Sequence, residues 1–232
     1  MKPTILRDRA TTPDGKPLTL HEHDGAFVIR VDGVELMSTR QHHSEELLAE
    51  VVCGRMPGRG RRLLIGGLGL GFTLRAALGR LGADDRVVVA EIVPAVVRWN
   101  QTPEYGLAAD ALADARVEIV VGDVADVLRR SPGRFDGVIL DVDNGASGLS
   151  TSANDGLYTA RGLTTARAAL RPGGCLAIWS AGPDPSCVGR MRAAGFDVSE
   201  ERVRPHAGGG GWIHLLIGVA SGAGGAPRSA RG

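Results

Sequence analysis

The sequence predicts an α/β fold: a doubly wound, mostly parallel sheet preceded by a small antiparallel β unit. Three observations carry this. Short apolar runs alternate with helical patterns from Arg62 onward, which is how a parallel sheet with covering helices reads. The first of these runs enters the glycine turn Gly66-Gly67-Leu68-Gly69-Leu70-Gly71. Upstream, two Asp-Gly pairs separate alternating runs, a strong local signal for hairpins.

The elements follow in order. Strands are expected at 18–23, 26–31 and 34–37, hinged at Asp24-Gly25 and Asp32-Gly33. A helix is expected to begin at Ser44, with Glu45 and Glu46 in its first turn, Leu47, Leu48, Val51 and Val52 on its apolar face and Pro57-Gly58 as its stop. Then come candidate strands at 63–65, 87–90, 117–121, 137–140, 174–179 and 212–219, with helices at 73–81, 94–100, 124–130, 162–170 and 186–194. The last strand leaves no room for a crossover helix and is expected to join antiparallel. The tail from Ser221 is Gly, Ala, Ser and Arg without periodicity and reads as disordered. This gives a β unit at 1–40, a Rossmann-like α/β domain at 41–220 and a tail at 221–232.

Bulk properties exclude several classes. A formal net charge of +1 leaves no electrostatic footprint for nucleic acid or anionic membrane. No apolar stretch reaches the roughly 18 residues of a membrane span, and residues 1–8 lack a signal-peptide core. Cys53, Cys175 and Cys187 form no metal pattern, and sparse cysteines suit a reducing compartment. A cytoplasmic protein without a metal site is the expectation.

The chemistry is expected beyond the carboxyl ends of the parallel strands, where ligands bind in such sheets. Glycines there let backbone approach a ligand, or simply permit tight packing. The run at 87–90 ends in Glu91, about 20 residues past the turn, where an acid accepts hydrogen bonds from ribose hydroxyls; a solvated loop acid is the plainer reading. Phe72 stands where a dinucleotide fingerprint needs its third glycine, which argues against NAD. The next run ends in Gly122-Asp123, where Asp123 suits a helix N-cap and can also accept from an adenine amino group. The fourth ends in Asp141-Val142-Asp143-Asn144. Both carboxylates read as turn residues or as catalytic acids and bases, Asp141 foremost. His42 and His43 read as acid–base groups or as exposed surface residues.

Together these residues resemble the spermidine synthase (polyamine aminopropyltransferase) family. The matching segments are Ile65-Gly66-Gly67 with Leu74-Arg75, Val89-Ala90-Glu91, Gly122-Asp123, Phe135 to Asp141, and Leu170-Arg171-Pro172-Gly173-Gly174, with Val31 to Leu36, Ser44 to Ala49 and Leu157-Tyr158. The resemblance spans roughly residues 26–180. It implies a Rossmann-like, seven-stranded sheet of the kind S-adenosylmethionine-dependent methyltransferases share. It implies S-adenosylmethionine or its decarboxylated form as donor, and a small-molecule acceptor. A homodimer is common in the family.

By resemblance, Glu91 holds the ribose, Asp123 holds the adenine and Asp141 acts on the attacking amine. Gly66, Gly67, Gly69, Gly71, Ile92, Val124 and Glu35 complete the donor site, Asp143 joins Asp141, and Ser44, Glu45 and Tyr158 fall at acceptor positions. The departures concern the other half of the site. The family's turn carries an Asp for the donor's amine; here the stretch is Leu68-Gly69-Leu70. The family's Gln falls at Glu35, its Tyr at Ser44, its His or Gln at Glu45, and its Asp-Ser-x-Asp-Pro loop becomes Asp141-Val142-Asp143-Asn144-Gly145. The missing turn acid tilts the expectation toward methyl transfer, since an acid would repel the carboxylate of the ordinary donor; Glu35 and Glu45 replace that charge in part, and methyl transfer to a small amine or hydroxyl stays slightly favoured over aminopropyl transfer. A non-catalytic nucleotide-binding or scaffold protein of the same fold is the alternative. A nucleic-acid methyltransferase would need the Asn/Asp-Pro-Pro-aromatic run that is missing after Leu140. Residues 143–159, rich in Gly, Ser and Asn, are expected to form a lid over the acceptor.

Overall fold

The computed structural model describes residues 3–142, 156–204 and 211–221. Asp143, most of the expected lid and the tail from 222 lie outside the described residues.

The chain opens with a four-stranded antiparallel meander, β1 (Ile5–Thr11), β2 (Pro17–His23), β3 (Ala26–Val31) and β4 (Val34–Ser38), in that spatial order. Asp24-Gly25 and Asp32-Gly33 both have paired positive φ values, at 52° with 75° and 49° with 79°. That is the backbone a two-residue hairpin turn requires. β1 was not expected. It is a largely exposed edge strand whose sequence, Ile-Leu-Arg-Asp-Arg-Ala-Thr, lacks apolar alternation, and its pairing with β2 is irregular between Leu6 and Asp8.

Helix α1 (His43–Arg55) follows. Its cap is His42, not the expected Ser44, and no side chain caps the first turn. Ser44 is instead buried inside the helix, with its hydroxyl donating to Glu45 Oε2 at 2.5 Å. Leu48, Ala49, Val52 and Cys53 form the buried stripe.

The main sheet has seven strands: β5 (Arg62–Gly66), β6 (Arg86–Glu91), β7 (Val117–Val121), β8 (Phe135–Leu140), β9 (Leu170–Ser180), β10 (Phe196–Val203) and β11 (Ile213–Ala220), in the order β10-β11-β9-β8-β5-β6-β7. β11 runs antiparallel to both β9 and β10, as its short approach requires. β10 was missed because it is an edge strand carrying Glu200, Glu201 and Arg202 rather than an apolar run. The helices are α2 (Phe72–Arg80), α3 (Pro94–Gln101), the short α4 (Ala109–Leu112), α5 (Val124–Arg129), α6 (Ala160–Ala169) and α7 (Pro185–Ala193).

Every residue of β8 is buried, as expected for a parallel strand covered on both faces. One apolar layer joins α1, α2, α3 and the meander through Leu20, Leu48, Leu74 and Trp99; the other joins α5, α6 and α7 through Leu128, Leu163 and Met191. Strand order reverses between β5 and β8, and there the carboxyl ends of the strands open a crevice. Among the described residues, no helix is long and apolar enough to cross a membrane.

Candidate active site

A cavity of about 460 Å³ occupies this crevice. Its walls come from the ends of β5, β6, β7 and β8, from α1, and from Leu18, Ile29, Val31, Glu35 and Met37 of the meander.

The glycine turn shapes one wall. Gly67 has φ +91°, and a Cβ there would collide with the main-chain oxygen of Asp141. Gly69, at φ +52°, has Met37 Cε 2.5 Å from the position of its Cβ. Both line the cavity. Gly66 and Gly71 do not: a Cβ on Gly66 would press on Val124, and Gly71 is the left-handed cap of α2, set against Ala108. The Asn100 side chain ties the turn down by donating to Gly69 O at 2.7 Å.

Glu91 is buried and lines the cavity. Its Oε2 accepts from Leu68 N at 2.9 Å and its Oε1 from Val93 N at 2.8 Å. Those two bonds clamp the carboxylate between the glycine turn and the start of α3. Asp123 caps α5, its Oδ1 accepting from Ala125 N at 2.8 Å. Asp123, Ile92 and Val124 all line the cavity.

Asp141 leaves the end of β8 with its backbone N donating to Gly66 O at 3.0 Å. Thr73, from the first turn of α2, donates its hydroxyl to Asp141 Oδ2 at 2.8 Å. Burial pushes the Asp141 carboxyl up to about 7; the charge of Glu45 adds to the rise, and the Thr73 bond opposes it. Burial likewise raises Glu45, with the Ser44 hydroxyl and His42 opposing. Glu45 and Asp141 are therefore two carboxylates in one cavity, neither easily ionised while the other is charged.

Ser44 also lines the cavity, and Glu35 lines it from an exposed position. Tyr158 is elsewhere: it is buried in the layer under α6 and α7, its hydroxyl donating to Val142 O at 3.4 Å and its carbonyl accepting from Arg190 Nε at 2.7 Å. It braces the strand end that carries Asp141 and does not line the cavity. His43 is exposed, and the His42 ring stacks on Phe72 at 4.3 Å between centroids. Among the described residues the lining holds five carboxylates (Glu35, Glu45, Glu91, Asp123 and Asp141) and no Lys, Arg or His.

Sequence reasoning missed three groups. Thr73 is one. Trp179 lines the cavity, its buried Nε1–H without a hydrogen-bond partner among the described residues. Trp212 lines it too, 45% exposed, with the Arg204 guanidinium 4.4 Å from its ring centroid. Both tryptophans lie at the ends of expected strands facing the crevice, which is the signal that would have found them. The three thiols carry no chemistry here: Cys53, Cys175 and Cys187 are buried and pushed up to about 11 or 12 by desolvation.

The strand order, with the crevice at its switch point, defines a Rossmann-like α/β fold. No protein-family model matches the sequence, and no curated protein does. Among solved structures the chain is similar to spermidine synthases. One, in complex with the transition-state analogue AdoDATO, and another, from Thermotoga maritima, each share 18% identity at a TM-score of 0.74, over 92% of this chain and 72% of theirs. A probable spermidine synthase from Corynebacterium glutamicum shares 17% at 0.64, over 94% and 81%. At this identity the likeness is one of fold: the chain has the spermidine synthase fold, antiparallel meander included.

Proposed function

We propose that the protein is a transferase using a sulfonium nucleoside donor, with aminopropyl transfer from decarboxylated S-adenosylmethionine to a small amine as its reaction. The charge of the cavity carries this reading. The described lining carries acidic side chains and no basic residue; even with Asp141 and Glu45 holding protons part of the time, it would repel the carboxylate of ordinary S-adenosylmethionine and attract the ammonium of the decarboxylated donor.

The donor's ribose would bind Glu91 and its adenine would lie against Asp123, Ile92 and Val124. The acceptor amine, protonated in water, would lose its proton to Asp141. Its nitrogen then attacks the methylene carbon beside the sulfonium, the carbon–sulfur bond breaks, and the pair of electrons neutralises sulfur as a thioether. The sulfonium already activates the carbon, so the protein's part is alignment, deprotonation and exclusion of water.

Methyl transfer is the second reading, favoured by one observation: the turn offers only Leu68 and Leu70, both buried, where an acid would meet the donor's amine. Mass spectrometry of the by-product separates them. Incubation with the decarboxylated donor and a panel of α,ω-diamines is expected to yield methylthioadenosine. S-adenosylhomocysteine from ordinary S-adenosylmethionine would establish methyl transfer instead. Absence of calorimetric binding by either donor would overturn both.

A further inference from the structure

We propose that Thr73 is the positioning residue for Asp141, its hydroxyl occupying one carboxyl oxygen and leaving Oδ1 for the acceptor's proton. Thr73 bears on catalysis through the base role proposed above for Asp141, so the two readings need separate tests.

Threonines in and at the ends of helices usually spend their hydroxyls on local main-chain carbonyls. In this protein Thr102, Thr164 and Thr165 donate to the carbonyl four residues back, on Arg98, Ala160 and Arg161, at 2.8 to 2.9 Å. That is the local bond expected of such residues. Thr73 does not make that bond; its hydroxyl goes to Asp141 instead. Four residues back lies Gly69, in the turn before the helix, and its carbonyl already accepts from Asn100. The helix begins at a glycine cap with no side-chain bond. Thr73 is only 4% exposed, so its hydroxyl must find a partner inside the protein. The partner is Asp141 Oδ2, 68 residues away in the sequence.

Asp141 is fixed from its other sides as well. Its backbone N is bonded to Gly66 O, and Gly67 packs against its carbonyl. Those contacts hold the backbone, and the Thr73 bond holds the carboxyl. Charged and titratable groups facing the same cavity are Glu45 from α1, Glu35 from β4, Glu91 from the end of β6 and Asp123 before α5. All are acids, and Glu45 acts on Asp141 directly. Thr73 is thus a donor working against burial and repulsion together, and it keeps the carboxylate available as a base. Ser44 serves Glu45 in the same way.

The test uses full-length protein carrying ¹³C-labelled aspartate. The Asp141 carboxyl signal is identified by its loss in Asp141→Asn and titrated by NMR without any substrate. Thr73→Val keeps the branched shape and removes the donor; it is expected to move the Asp141 midpoint up by about one unit. Thr73→Ser is expected to restore it. In turnover assays the acid limb of kcat/KM should move by the same amount, with a loss of up to about tenfold on the limb and a shared plateau at high pH. A purely structural role would lower the plateau and leave the limb in place.

An unmoved NMR midpoint in Thr73→Val would overturn the proposal. If that variant fails to fold by circular dichroism, Thr73→Ala carries the same test with the same overturning result. A moved midpoint with an unmoved kinetic limb would remove Asp141 from the base role and overturn the catalytic half, while absence of any turnover leaves the NMR result standing on its own.

Discussion

Asp141 sits under opposed demands that its immediate neighbours set. Burial and Glu45 favour its proton, Thr73 favours its charge, and the balance leaves it pushed up to about 7. An unfolded aspartate releases its proton near pH 4. Between about pH 4 and about pH 7 the native state therefore binds more protons than the unfolded chain, and stability falls as pH rises through that window. Glu45, raised by the same burial, contributes in the same direction. Asp141→Asn removes the larger part of this slope. In thermal scans from pH 5 to pH 8 the wild-type midpoint should decline and that of Asp141→Asn should decline less, ending above wild type at pH 8. The same substitution should lower turnover by about 10²- to 10⁴-fold while donor binding persists. A variant less stable than wild type at pH 8 would refute the sign. Asp141, Glu91 and Asp123 were legible as cavity acids because each stands within two residues of the end of an apolar run, a place defined by local pattern. Thr73 was not, because its partner is brought to it only by the fold.

Among the elements, the β5–α2 turn shows how conformation and close approach combine at one glycine. Gly67 needs a positive φ and also has the Asp141 carbonyl where a Cβ would go. Gly58 has φ +75° with nothing nearby, so it isolates the conformational part. Gly58→Ala should cost about 1 kcal/mol, and Gly67→Ala should cost about 3 kcal/mol or more because backbone must also move. Equal costs by urea denaturation would mean the turn relaxes freely. The pattern of elements was legible where the interior dictates it. The parallel strands are apolar because both faces are covered, and the Asp-Gly hairpins are set by turn chemistry alone. β1 and β10 were illegible because an edge strand need bury only part of one face, so charged residues break the alternation. The start of α1 was misplaced for a similar reason: Ser44 carries the chemistry of a cap, but burial beside Glu45 takes its hydroxyl away from the helix end.

Across the whole molecule, charge is distributed unevenly in a way composition conceals. The chain carries a formal net charge of only +1, yet every charged side chain in the described cavity lining is acidic. The sequence shows the acids one by one; the fold gathers them, since Glu35 belongs to the meander, Glu45 to α1 and the others to separate strand ends. Discrimination between donors is then a property of the assembled field rather than of one contact. Decarboxylated S-adenosylmethionine should bind at least about tenfold more tightly than the ordinary donor, by like-charge repulsion of the latter's carboxylate. Raising salt should narrow the gap, most of all for the exposed contribution of Glu35. Glu35→Gln should narrow it by only about two- to fivefold, as suits a solvent-screened charge. Calorimetric titration of both donors into wild type and Glu35→Gln at two ionic strengths measures all of these quantities. Tighter binding of ordinary S-adenosylmethionine, or a ratio indifferent to both salt and Glu35, would show that the donor's tail lies away from the acidic wall and would return the reaction to methyl transfer.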